Sequence, residues 1–166
     1  LAGNWEDIGF RDGERGGSRS RLVKIAETCG EVGVSPDRTA YVRGLEMGLK
    51  RYCGWSNGFS HGRHGNSPNA ECEIGGFSTY LDAYAEGLII HEIEEERDHL
   101  VDRWRDRSQH LMNVSQRLDS QGLDDKERRR LERKYDRLNR QMENLRIEIR
   151  TLERLHDLPR WTPSSD

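Results

Sequence analysis

The second half of this 166-residue chain has almost no glycine and no cysteine at all: of the 17 glycines only Gly122 lies beyond residue 87, and Cys29, Cys53 and Cys72 all precede it. Apolar runs are equally scarce. The longest aliphatic stretch is Leu88-Ile89-Ile90, far short of the roughly 20 residues a membrane-spanning helix needs. With hydrophobic residues at 33% against 34% charged, a single large buried core is excluded and an extended shape is expected. There is no excess of positive charge either. The net charge is -3, acidic residues slightly outnumber basic ones in both halves, and a protein that neutralises nucleic-acid phosphates needs the opposite balance. The dense basic run from Glu127 to Lys134 is offset by Asp124, Asp125, Glu132 and Asp136. No nucleic-acid partner and no transmembrane span are therefore expected. The start at Leu1, without an initiator Met or an apolar leader, is read as the mark of an upstream segment processed or trimmed away.

What is present divides the chain into two modules: a Gly/Cys-rich helical head over 1–77 and an antiparallel helical hairpin over 78–158, with 159–166 as a flexible C-terminal tail. The fold class is all-α. From Leu131 onward, Tyr135, Leu138, Met142, Leu145, Ile149, Leu152 and His156 alternate steps of four and three, the seam of a coiled coil. Tyr80, Tyr84, Ile90, Ile93, Leu100, Trp104, Leu111, Val114 and Leu118 form a looser upstream stripe, interrupted by Arg97 and Arg107. Between them, Gly122 ends one helix and Asp124 caps the next, with Glu127 completing a capping box. So short a break predicts an antiparallel hairpin, its helices running from about Ser78 to Asp119 and on to about Asp157, roughly 60 and 50 Å long at 1.5 Å per residue. Asp98, Asp102 and Asp106 form an outward acidic row and Arg129, Arg133 and Arg137 an outward basic one. Such rows are either solvated faces or surfaces for an oppositely charged partner, and a homodimer through the hairpin is the oligomeric expectation.

In the head, aromatics precede spaced glycines again and again: Trp5 with Gly9 and Gly13, Tyr41 with Gly44 and Gly48, Phe59 with Gly62 and Gly65, Tyr84 with Gly87. The recurrence suggests a repeated structural device. Ser35-Pro36-Asp37 reads as a helix start with Ser35 as cap, so Gly44 and Gly48 fall inside a helix, where each glycine costs about 1 kcal/mol relative to alanine. At this spacing they make one smooth strip that a neighbouring helix can approach closely; a ligand groove is the alternative. No two cysteines form a CxxC pair. A Cys53–Cys72 disulfide would close the Gly-rich loop between them and stabilise it by roughly 3 kcal/mol, leaving Cys29 over; three reduced, buried thiols are the alternative.

The loop 54–71 is the candidate recognition surface. Trp55 and Phe59 offer stacking faces, and Asn57, His61, Arg63 and His64 offer polar contacts to a peptide, a glycan or an anion. His61 and His64 without a third ligand argue weakly for zinc, so no metal is expected. His91, Glu92, Glu95 and His99 read as a solvated helix face. No nucleophile elbow, P-loop, HExxH or dinucleotide fingerprint occurs; neither a catalytic residue nor a cofactor is assigned.

The spacing Trp5-x3-Gly9-x2-Asp12-Gly13-x2-Gly16, then Cys29, Pro36-Asp37-x3-Tyr41-x2-Gly44-x3-Gly48-Leu49-x2-Tyr52-Cys53, Asn57-Gly58-x3-Gly62-x2-Gly65, Cys72, Phe77 and Tyr84-x2-Gly87 resembles the proteobacterial envelope family called Domain of Unknown Function 2799, over about residues 4 to 90. The resemblance implies a periplasmic or outer-membrane-anchored lipoprotein with a charged helical tail. Two departures stand out: Asn66-Ser67-Pro68-Asn69 replaces an expected aromatic, and no lipid-attachment cysteine is present. The functional expectation is a non-enzymatic envelope module that binds a protein or cell-wall partner. An enzyme or enzyme inhibitor using the 54–71 loop is the second reading, and a cytoplasmic coiled-coil adaptor with reduced cysteines the third.

Overall fold

The computed structural model describes residues 4–163. Among them every regular element is a helix: α1 (Trp5–Gly13), α2 (Arg21–Gly30), α3 (Arg38–Tyr52), α4 (Trp55–Arg63), α5 (Ala70–Ile74), α6 (Ser78–Leu118) and α7 (Asp125–Leu155). The chain divides into two compact units, the first ending at His91 and the second beginning at Glu92. The head therefore takes in the first turns of α6, because Tyr80 and Ala83 are fully buried and Tyr80 belongs to the head's core with Leu22, Tyr41, Leu45, Leu49, Cys53 and Cys72.

Short polar side chains start the helices. Asn4 accepts the Asp7 N–H, Asn69 those of Glu71 and Cys72, and Asp124 that of Glu127, each satisfying backbone donors that the first turn leaves without partners. Two expectations about caps need correction. Asp37, not Ser35, caps α3 by accepting the Ala40 N–H at 3.0 Å; a side chain at 37 is the one placed to reach the N3 amide. The Glu127 carboxylate takes the Arg117 guanidinium at 2.9 Å, an ion pair across the hairpin turn that draws it away from a capping box.

The head is built twice from one device. Gly9 and Gly13 of α1 lie against the Tyr41 and Leu45 carbonyls of α3, while Gly44 and Gly48 lie against those of Glu6 and Phe10. In the same way Gly58 and Gly62 of α4 lie against the Tyr80 and Tyr84 carbonyls of α6, and Gly87 against that of Phe59. Gly9, Gly13 and Gly16 recur at Gly58, Gly62 and Gly65 with one constant offset; Tyr41, Gly48 and Tyr52 recur at Tyr80, Gly87 and His91 with another. Even the exit turns match. Gly16 and Gly65 take φ of 71° and 65°, the left-handed region where glycine is unstrained. The bonds Gly17 N–H to Asp12 C=O (2.8 Å) and Asn66 N–H to His61 C=O (3.0 Å) close the two turns alike. A β-carbon on Gly16 would fall into the Tyr52 ring and one on Gly65 into the His91 ring.

Cys53 and Cys72 form a disulfide, with Cα atoms 5.5 Å apart, that ties the end of α3 to α5. Cys72 lies within α5. Cys29 carries no disulfide.

The second unit is an antiparallel helical hairpin. Near the turn Val114 clusters with Leu131 and Leu138; farther along, Leu100 and Val101 cluster with Leu145 and Ile149, so the order along α6 runs opposite to that along α7. The heptad positions Leu131, Leu138, Leu145 and Ile149 are all buried, whereas His156 at the end of the pattern is exposed. Trp161, in the part of the 159–166 segment that is described, meets Trp104 edge to face at 5.1 Å, and its backbone N–H donates to the buried Glu153 carboxylate. Residues 164–166 lie outside the described residues.

Candidate functional site

The segment 54–71 is not a loop over most of its length. Gly54 leads into α4, and glycines at 58 and 62 sit inside that helix because α6 lies too close for any side chain: a β-carbon on Gly62 would come 2.1 Å from the Tyr84 carbonyl oxygen. This strip sorts the candidate residues by helical periodicity. Trp55, Phe59 and Arg63 lie to one side of it, Asn57, His61 and His64 to the other.

The polar side is used within the protein. Asn57 Nδ2 donates to the Tyr52 carbonyl at 2.8 Å, tying α4 back to the end of α3. His61 stands between two tyrosines, with Nδ1 2.6 Å from the Tyr80 hydroxyl and Nε2 3.3 Å from the Tyr52 hydroxyl. One tautomer satisfies both contacts: Nε2–H donates to Tyr52 and Nδ1 accepts the Tyr80 O–H. The Tyr80 oxygen also accepts the Asn69 N–H at 2.8 Å, and Asn69 Nδ2 donates to the Gly16 carbonyl at 2.9 Å. Burial, foremost, raises the Tyr80 hydroxyl above its ordinary value. His64 is exposed and its Nδ1–H donates to the Ser60 carbonyl at 2.7 Å.

The matching place in the first helix pair holds a different chemistry. Where His61 faces Tyr80, Asp12 accepts the Tyr41 hydroxyl at 2.8 Å, and the Arg21 guanidinium stands 3.3 Å from the same carboxylate. Tyr41 is fully buried; that burial, helped by the bond to Asp12, raises its hydroxyl well above the usual tyrosine value. A second buried carboxylate, Glu71, accepts the Ser18 hydroxyl and the Arg19 N–H at 2.9 and 3.0 Å, linking α5 to the turn after α1. The sequence pattern gave Tyr52, Asn69, Tyr80 and the Asp12–Tyr41 pair no role in the site. The recurrence of an aromatic before each glycine strip includes Tyr41, but no local signal links Tyr52, Asn69 and Tyr80 to His61.

The other side of the strip faces outward. Trp55 is 49% exposed and stacks on Phe59 with centroids 4.7 Å apart and planes 11° from parallel. Aromatic pairs in this geometry attract one another and leave a flat apolar platform. Arg63 lies one turn beyond Phe59, partly buried. The structure thus places Asn57 and His61 in an internal polar network, leaves His64 exposed on the same flank, and puts Trp55, Phe59 and Arg63 on the other. Among the described residues, no group of three or more His, Cys, Asp or Glu side chains is placed to hold a metal ion, and no helix is long and apolar enough to cross a membrane.

No curated protein and no solved structure matches the chain. One family does, over residues 4–88, a span that opens just before α1 and closes just after Gly87, and so contains both glycine-clasped helix pairs and the disulfide. By that match the chain belongs to the family described as a protein of unknown function, DUF2799.

Proposed function

We propose that the chain is a non-enzymatic interaction module of the bacterial envelope, periplasmic or lipid-anchored, whose head docks a protein partner through the Trp55–Phe59 face of α4. The observation that carries this reading is the division of labour on that helix. His61, the group with acid–base chemistry at the centre of the segment, is engaged with Tyr52 and Tyr80 inside the head, while the exposed Trp55 stacks on the half-buried Phe59. Exposed tryptophan is a common anchor of protein interfaces, where its burial against a partner dominates the binding energy. The Cys53–Cys72 disulfide is compatible with an oxidising compartment outside the cytoplasm. The hairpin supplies a second, highly charged surface.

The test is a photo-reactive phenylalanine analogue at position 55 of the full chain, in the cells that make it, with thiol trapping of the same sample. The expected result is one discrete cross-linked adduct, lost on Phe59→Ala, together with an oxidised Cys53–Cys72 pair. No adduct at position 55, or Cys53 and Cys72 trapped as free thiols, overturns the reading. Loss of function in folded His61→Ala or His64→Ala with Trp55→Ala active would point instead to a chemical site on the opposite flank.

A further inference from the structure

The two charged rows of the hairpin are not equivalent. On α6 each carboxylate of the acidic row has a partner on its own helix: Asp98 with Arg97 at 2.6 Å, Asp102 with Arg105 at 2.8 Å and Asp106 with Arg107 at 2.6 Å. On α7, Arg130, Arg133, Lys134, Arg137 and Arg140 are all exposed and make no ion pair among the described residues. Arg129 donates to the Asp125 carbonyl at 3.1 Å. With Lys126, the arginines fall, at 3.6 residues per turn, on one stripe turned away from the buried seam of Leu131, Leu138 and Leu145, with Lys134 at its edge beside the seam. Asp125, Glu132, Asp136 and Glu143 fall together along one flank of that stripe, and Glu127, on the other flank, is held by Arg117 at 2.9 Å. Like charges placed i, i+3 and i+4 apart repel, so the bare stripe is an electrostatic strain on the helix that an external anion relieves.

The shape of the charge selects the partner. A nucleic-acid groove wraps a helix on both flanks and would press phosphates against the acidic side, whereas a flat anionic surface meets the stripe alone. Past Arg140 the same face carries Asn144 and Glu148 and also Ile147 and Leu155, apolar side chains 56% and 69% exposed, which suit an interface of headgroups and acyl chains. A second copy of this chain fits poorly, because its acidic row is already paired. We infer that the exposed Lys126–Arg140 face of α7 binds the surface of an anionic phospholipid bilayer. The contact is peripheral and governed by ionic strength.

The experiment is flotation of the full chain with vesicles of phosphatidylcholine alone and with about one-third phosphatidylglycerol, at low and high salt. Each cation near such a surface contributes about 1 kcal/mol, about fivefold, so Arg130→Gln/Arg133→Gln/Arg137→Gln is expected to weaken binding on the order of 100-fold. These side chains are exposed, so the variant should keep the wild-type circular dichroism. Asp98→Asn/Asp102→Asn/Asp106→Asn should bind like the wild type. Equal binding to neutral and anionic vesicles, a folded triple-arginine variant that still floats like the wild type, or binding to a DNA duplex with none to vesicles overturns the inference.

Discussion

At Gly44 a β-carbon would lie 1.9 Å from the Glu6 carbonyl oxygen, whereas at Gly30 it would meet nothing within 4 Å. The same chemical change should therefore act with opposite sign at the two places. Gly44→Ala must push two helix backbones apart and is expected to destabilise the head by about 3 kcal/mol or more. Gly30→Ala, at the exposed end of α2, should stabilise it by about 0.5 to 1 kcal/mol through the unfolded chain. Urea denaturation reads both, and similar midpoints for the two variants would disprove the clasp. The buried tyrosines set the alkaline limit. Burial raises Tyr41 and Tyr80 above the ordinary tyrosine value, so the folded state keeps protons that the unfolded chain releases. Their contribution is complete below about pH 10 and is lost as pH climbs from there toward the folded-state values. The denaturation midpoint should be level from neutral pH to about pH 9, fall beyond about pH 10, and fall less steeply in Tyr41→Phe. A midpoint that rises above that pH would contradict the assignment.

Among the elements, the hairpin was the most legible, because its heptad seam, the turn at Gly122 and the cap at Asp124 are local patterns with direct physical meaning. The interruptions were legible too. Arg107 occupies a seam position between the cluster of Leu100, Val101, Leu145 and Ile149 and that of Val114, Leu131 and Leu138, with its side chain 36% exposed. Arg107→Leu is expected to join the two clusters and raise hairpin stability by about 1 kcal/mol, seen as a higher thermal midpoint; a lower one would mean that the Arg107–Asp106 pair matters more than the gap. The head was only partly legible. Tight helix packing could be read from Gly44 and Gly48, and the Cys53–Cys72 pairing from the Gly-rich loop that it closes. Helix α4 could not, since Gly58 and Gly62 disfavour a helix by local propensity and only contact with α6 overrides it. For the same reason the six residues of 54–71 looked like one surface, when a helix places them on two. Asp37 displaced Ser35 as the cap because both side chains, two residues apart, were capable of the role.

Over the whole molecule, each unit has its own core, and the disulfide belongs to the first alone. Breaking it should lower the stability of the head by about 3 kcal/mol, while the hairpin keeps its own. Hydrogen exchange of the intact chain with and without reductant checks this: amides of α3 and α5 should lose protection and those around Leu131 and Leu138 should not. Equal loss in both regions would show that the two units unfold as one.

The glycine clasp also bears on how this chain can change. Wherever one helix backbone rests on another, a single added methyl group is excluded, yet the positions between the glycines, such as Arg11, Glu46 and Ser60, are exposed and accept almost any side chain. Saturation mutagenesis of the head should therefore return a banded map, with sharp lines of intolerance at Gly9, Gly13, Gly44 and Gly48, repeated at Gly58, Gly62 and Gly87, and permissive stretches between them. Two descendants of such a chain could differ at most surface positions and still share that band pattern, so the spacing of the lines, more than the identity of the residues between them, is the heritable signature of the fold.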